Sequence, residues 1–148
     1  MRVYLRYLRY LLRHKWYVFL ECCKLGVPFR GILHDLSKFY PSEFKPYANY
    51  FYGDLKIPKA SSAFHKAWLH HQKRNKHHWQ YWVLHPDKGE PFCIDMPLTY
   101  LKEMLADWRG ASRAIKGYDD TPSWYQNNKD RIMLSDRSRK WIETNIGR

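Results

Sequence analysis

Apolar residues recur along this chain at helical rather than alternating spacing, and Pro and Gly fall between the periodic segments, so the pattern predicts several α-helices and little strand. The first helix is expected from about Val3 to Leu25, stopped by Gly26 and Pro28. Leu5, Leu8, Leu12, Trp16, Phe19 and Cys23 form one stripe on it, and Tyr7, Tyr10, Leu11, His14, Val18 and Leu25 form another on roughly the opposite side. That doubling predicts a helix covered on two faces. A short second helix reads from Gly31 to Phe39, halted before Pro41, and Ser42 is placed to cap a third through Tyr50 that Gly53 closes. After a loop over 54–62, a fourth helix is expected from about Ala63 to Leu84, then an irregular excursion over 85–97. The fifth helix runs from Pro97 to Lys116 with Leu98, Leu101, Leu105 and Trp108 on its core side, and a last one from about Arg137 to Asn145 closes the chain. An all-α bundle of five or six helices follows, its apolar stripes buried helix on helix.

Size and composition narrow this to one domain. With 148 residues, 45% hydrophobic and 27% charged, the chain supports one sizeable core and needs no disulfide or metal to hold it. No stretch approaches the ~20 apolar residues of a membrane span, in keeping with a mean hydropathy of −0.71. Arg6, Arg9, Arg13, His14 and Lys15 interrupt every segment that would serve a secretion signal, so the start of the chain reads as mature structure. Three cysteines, including the adjacent Cys22 and Cys23, give neither a disulfide framework nor a zinc motif, as suits the reducing cytoplasm, and Cys22 and Cys23 read as core residues. A net charge of +12 attracts phosphate on a nucleotide, a nucleic acid or a lipid surface.

The residues able to carry chemistry sit in unusual places. His14 in the first helix, His34 and Asp35 in the second and Asp107 in the fifth all lie among apolar or aromatic neighbours. Burying a carboxylate is costly without a compensating cation, and Asp107 has neither Lys nor Arg four residues away on either side. A divalent cation explains that placement. A second constellation, AWLHHQKRNKHHWQYW over 67–82, holds four histidines in nine positions. On a straight helix His71, Asn75 and His78 share a side with Phe64, Ala67, Trp68 and Trp82, with His70 and His77 at its edge near Arg74. His71 and His78 thus read as ligands for a second metal or a substrate phosphate beside Lys73 and Arg74.

His14, then LHDLSKF from Leu33 to Phe39, then EMLADW from Glu103 to Trp108 form an ordered set that resembles the HD superfamily of metal-dependent phosphohydrolases. The whole chain is similar to an uncharacterised family of short HD-like proteins of bacteria and their viruses, with comparable HDLSKF, HHQ-x-x-N-x-HHW and EML-x-DW segments. The resemblance implies an HD-like helical bundle in which His14, His34, Asp35 and Asp107 bind one metal, Lys38 contacts phosphate and Asp35 also serves catalysis. Extra histidines between the HD pair and the last Asp imply a possible second metal. The cofactor is then one or two divalent ions among Mn, Fe, Mg, Ni, Co and Zn. The substrate is a nucleotide or related phosphoester, with Lys38, Lys73, Arg74, Asn75, His70 and His77 as candidate contacts. Glu103, one turn before Asp107, is placed to hold a ligating histidine, and Glu43, Tyr47 and Tyr50 to line the cleft.

A binding module is the main alternative. Residues 1–38 carry eight Lys and Arg against Glu21 and Asp35, interleaved with tyrosines, which suits a nucleic-acid backbone, with or without a structural metal.

Overall fold

A computed structural model describes residues 2–53 and 61–147. The chain is all-α: α1 (Arg2–Lys24), α2 (Pro28–Leu33), α3 (Pro41–Tyr52), α4 (Ser61–Arg74), α5 (Leu98–Lys116), α6 (Thr121–Asn128) and α7 (Asp136–Asn145), with short 3-10 turns at Leu36–Phe39, Trp79–Trp82 and Lys129–Arg131. The excursion expected over 85–97 contains half of a minimal antiparallel ladder, Val83 opposite Cys93 and Leu84 opposite Phe92. Most of the loop expected over 54–62 lies outside the described residues, while Ser62 already belongs to α4. No helix among the described residues is long and apolar enough to cross a membrane.

Long α1 lies against α5, α2 and α3, and α3 carries α4. The buried line of α1 is Tyr7, Leu11, His14, Val18, Glu21 and Cys22, at spacings of three and four. The other stripe is not a second core face: Leu5 is 55%, Leu12 53% and Trp16 58% exposed, because the apolar clusters form on the line of Tyr7, Leu11, Val18 and Cys22 instead. Cys23 is exposed as well, and only Cys22 packs inside. On α5, Leu101 and Leu105 are buried but Leu98, at its first turn, stands half in solvent. Three apolar clusters result. Tyr7 and Leu11 meet Tyr47, Ala48 and Ala67; Val18 and Cys22 meet Ala106; and Leu101, Met104 and Leu105 meet Tyr125, Ile142 and their neighbours toward the chain's end.

Glycines permit two close helix crossings. A Cβ on Gly110 of α5 would stand 2.8 Å from the Val18 backbone nitrogen of α1, and one on Gly31 of α2 would stand 2.8 Å from the Phe19 Cα. Only a residue without a side chain permits such approach. Beside the first crossing, buried Glu21 takes Arg109 and Arg113 from α5, and Arg109 also donates to the carbonyls of Asn145 and Ile146.

Three helices differ from the sequence reading, each for a local reason. The second begins at Pro28 and breaks at His34 rather than running from Gly31 to Phe39, since Asp35 adopts the left-handed conformation at φ 53°. Ser42 is not a cap, because Pro41 already opens α3 and Tyr40 holds the N-cap position. The fourth ends at Arg74 rather than Leu84: the His71 carbonyl accepts from both the backbone N–H and the side-chain amide of Asn75, at 3.0 and 2.9 Å, and the chain turns away after it. A seventh helix, α6, exceeds the five or six expected; Pro122 at its start and Asp119, accepting from the Thr121 N–H, form its N-terminal signal.

Candidate metal centre

The breaks in α2 and α4 build the site. At the end of α2 the Lys15 ammonium of α1 donates to the carbonyls of Ile32 and His34 at 2.7 and 2.8 Å, pinning the chain where it turns. The left-handed Asp35 then turns its carboxylate toward α1 and α5, and a non-glycine residue there is uncommon enough to mark a functional constraint. Because α4 stops at Arg74, His77 and His78 do not follow His71 on one helical face; they come from the turn behind it.

Asp35 is the hub. Its Oδ2 lies 3.8 Å from His14 Nε2 and 3.4 Å from His34 Nε2, and Asp107 Oδ1 from α5 completes this group at 3.1 Å from His14 and 3.4 Å from His34. Its Oδ1 faces His71 Nε2 at 3.2 Å and His77 Nε2 at 3.4 Å, and His78 completes a second group. Within each group the potential ligand atoms lie within 4.8 Å of one another, a spacing at which one cation can touch all of them. The geometry therefore brings together His14, His34, Asp35, Asp107, His71 and His78, and adds His77 as a ligand-facing residue rather than an edge contact.

The far sides of the rings explain which nitrogen is free. Glu103 Oε1 accepts from Nδ1 of both His34 and His77 at 3.1 Å while its Oε2 takes Arg30 at 2.6 Å. Glu43 Oε2 accepts from His71 Nδ1 at 2.8 Å and from the Ser37 hydroxyl at 2.9 Å. A carboxylate on Nδ1 leaves the Nε2 lone pair pointing inward, the arrangement typical of metal-binding histidines. Inward lie Nε2 of His14, His34, His71, His77 and His78 and Oδ1 of Asp35, all buried and without a hydrogen-bond partner among the described residues, while Oδ2 of Asp35 meets the Lys38 ammonium. Lone pairs gathered against carboxylates repel unless a cation or protons intervene. The donor set fits a divalent ion.

Burial opposes charge on Asp35 and Asp107, yet the neighbouring imidazoles, with Lys38 beside Asp35, hold both far below the usual carboxylate range. Burial likewise disfavours a charged His34, but Asp35, Asp107 and Glu103 overcome it and raise the ring to about 10. Burial and the adjoining histidines push His78 down instead.

The outer candidates divide. Lys38 reaches Asp35 Oδ2 at 2.5 Å and stands above the Tyr47 ring, at the cluster itself. Asn75 is half-buried against the His71 ring and Ser37. His70, Lys73 and Arg74 are exposed on α4, where Arg74 donates to His70, and none belongs to either ligand group although the helix is continuous through all three. Tyr50 stacks on Phe64 in the apolar packing of α3 on α4. Lys15, Arg30 and Ser37 went unnoticed in the sequence because their partners lie 17, 73 and 6 residues away.

No curated protein and no solved structure matches the chain. The profile of DUF5662, a family of unknown function, matches residues 4–148, and the chain belongs to that family.

Proposed function

We propose that the protein is an HD-type, metal-dependent phosphohydrolase acting on a phosphoester of a nucleotide or nucleotide-like substrate. The observation that carries this reading is the shared carboxylate of Asp35, one oxygen turned to His14 and His34 and the other to His71 and His77, with every facing ring nitrogen unpartnered. Mixed His and Asp ligands suit a hydrolytic site better than the closed Cys and His sets of structural zinc. His14, His34, Asp35 and Asp107 would hold one ion; Asp35, His71, His77 and His78 would hold a second. A divalent cation so held acidifies water toward neutral pH and draws charge from phosphoryl oxygens.

The chain's own residues supply the rest. Lys38, anchored to Asp35, places a point charge for the phosphate at the mouth of the cluster. Glu43 and Glu103 keep three imidazoles in the tautomer that presents Nε2. Three free cysteines, with none paired, favour the cytoplasm as its compartment.

Metal analysis of protein purified without a histidine tag, followed by hydrolysis of a phosphoester panel, tests the reading. Wild type is expected to retain a divalent ion and release phosphate or a nucleoside phosphate, and Asp35→Ala to lose both properties. Retained metal with no turnover across the panel would establish a structural site instead. Nucleic-acid binding that weakens with salt but ignores chelator would establish the basic surface, where Arg2, Arg6, Arg9 and Arg13 are exposed on α1, as the functional feature.

A further inference from the structure

A cavity of about 240 Å³ adjoins the ligand cluster, and its walls are aromatic: Trp68 of α4, Trp79 just past His78, Trp108 of α5 and Trp124 of α6. Cavity and cluster share side chains, since His77, His78 and Asp107 line it too. Trp108 and Trp124 stand 5.2 Å apart and inclined at 56°, so neither face is consumed by stacking on the other. Among the described lining residues there is no Lys or Arg, which is wrong for a phosphate or carboxylate and right for a neutral ring. One polar group breaks the apolar wall. Gln80 lines the cavity, and its Oε1 is buried with no hydrogen-bond partner, a state that buried polar atoms seldom keep unless a ligand or water completes them.

We propose that this cavity is a nucleobase subsite: the heterocycle of a nucleoside phosphate lies among the four tryptophans with its polar edge at Gln80, and its phosphoester extends past Asp107 to Asp35. Indole faces stack on any base, and a side-chain amide pairs with base edges through one donor and one acceptor. The phosphate end of the proposal rests on the hydrolase reading above. The ring end does not, because stacking and the Gln80 amide require no cation.

The test uses the purified full chain and two readouts. Tryptophan fluorescence and calorimetry follow titration with adenosine, guanosine, cytidine and uridine, with ribose 5-phosphate as the base-free control. Hydrolysis is compared among the matching nucleoside 5′-monophosphates, ribose 5-phosphate and phenyl phosphate. At least one nucleoside is expected to bind and quench, and its monophosphate to show a kcat/KM roughly ten- to hundredfold above that of ribose 5-phosphate. Trp124→Ala, at a 40% exposed position, and Gln80→Leu should each raise the KM for that nucleotide several-fold while metal content stays at the wild-type level. Nucleoside binding with no hydrolysis of any phosphoester would sink the hydrolase reading and leave the base subsite standing. Equal kcat/KM for nucleotides and ribose 5-phosphate, or no nucleoside binding, would overturn the subsite. Phenyl phosphate turned over as well as the nucleotides would show an unselective aromatic pocket and overturn the assignment to a base.

Discussion

Replacing Gly110 by alanine pits two physical effects of opposite sign against each other. Helix propensity alone makes alanine the better residue inside α5, by about 1 kcal/mol. The packing says otherwise. The new Cβ would clash with the Val18 Cγ2 methyl and stand 2.8 Å from the Val18 backbone nitrogen, so even if the methyl turns aside α1 and α5 must part by roughly 0.6 Å to regain the ~3.4 Å of ordinary contact with the backbone. Overpacking of this kind costs about 1–3 kcal/mol, which leaves a net loss of up to about 2 kcal/mol and a Tm lower by up to about 6 °C for a chain of this size. The same separation reaches the metal centre, because Val18 lies one turn beyond His14 and Gly110 one turn beyond Asp107, the pair that meets across the crossing at 3.1 Å. Ligand positions tolerate only ~0.2 Å, so affinity for a divalent ion should fall roughly tenfold or more. Urea denaturation of chelator-treated protein measures the first effect, and competition with a metal-binding dye the second. A Gly110→Ala protein more stable than wild type, with undiminished affinity, would refute the close-crossing argument.

Other perturbations give independent checks. Glu103→Gln and Glu43→Gln should each weaken metal binding about 10- to 100-fold without unfolding the chain, as read by dye competition; unchanged affinity would deny the carboxylates their hold on the imidazoles. Chelator should lower the Tm in proportion to the binding free energy removed, about 2.7 kcal/mol where free metal stood at 100 times Kd, and added metal should restore it. Leu105→Ala, at a fully buried position, should cost about 2–5 kcal/mol in denaturant titration. Burial pushes the Cys22 thiol from 9.0 to about 12, so the neutral form is the one the fold favours. Its stabilisation is therefore intact below pH 9 and declines as pH rises toward 12, and alkylation below that window should modify exposed Cys23 quickly and Cys22 only at the rate of unfolding.

Much of this architecture could be read from spacing and punctuation, and the rest depended on partners distant in sequence. Gly26 and Gly117 mark the ends of α1 and α5 because both adopt positive φ that glycine accepts freely. The expectation that α1 is covered on two faces fails, since both stripes contain large apolar residues and burial rests on where α2, α3 and α5 dock. His14, His34, Asp35 and Asp107 stood out as polar residues among apolar neighbours, and the structure gathers them. A helix continued to Leu84 puts His77 at the edge of its face; α4 stops at Arg74 instead, and the turn that follows brings the His77 ring to Asp35. Arg30 and Lys15 gave no local signal at all, because each acts on backbone or carboxylate across a helix crossing.

The four segments that meet at Asp35 span residues 14 to 107, and this separation dictates an order of events as the chain folds. Loop closure over such distances is slow and comes only after local helices have formed, so no ion can be fully coordinated in a nascent or half-collapsed chain. On the proposed reading, ion capture would then be the last step of assembly, locking an architecture already reached by apolar collapse.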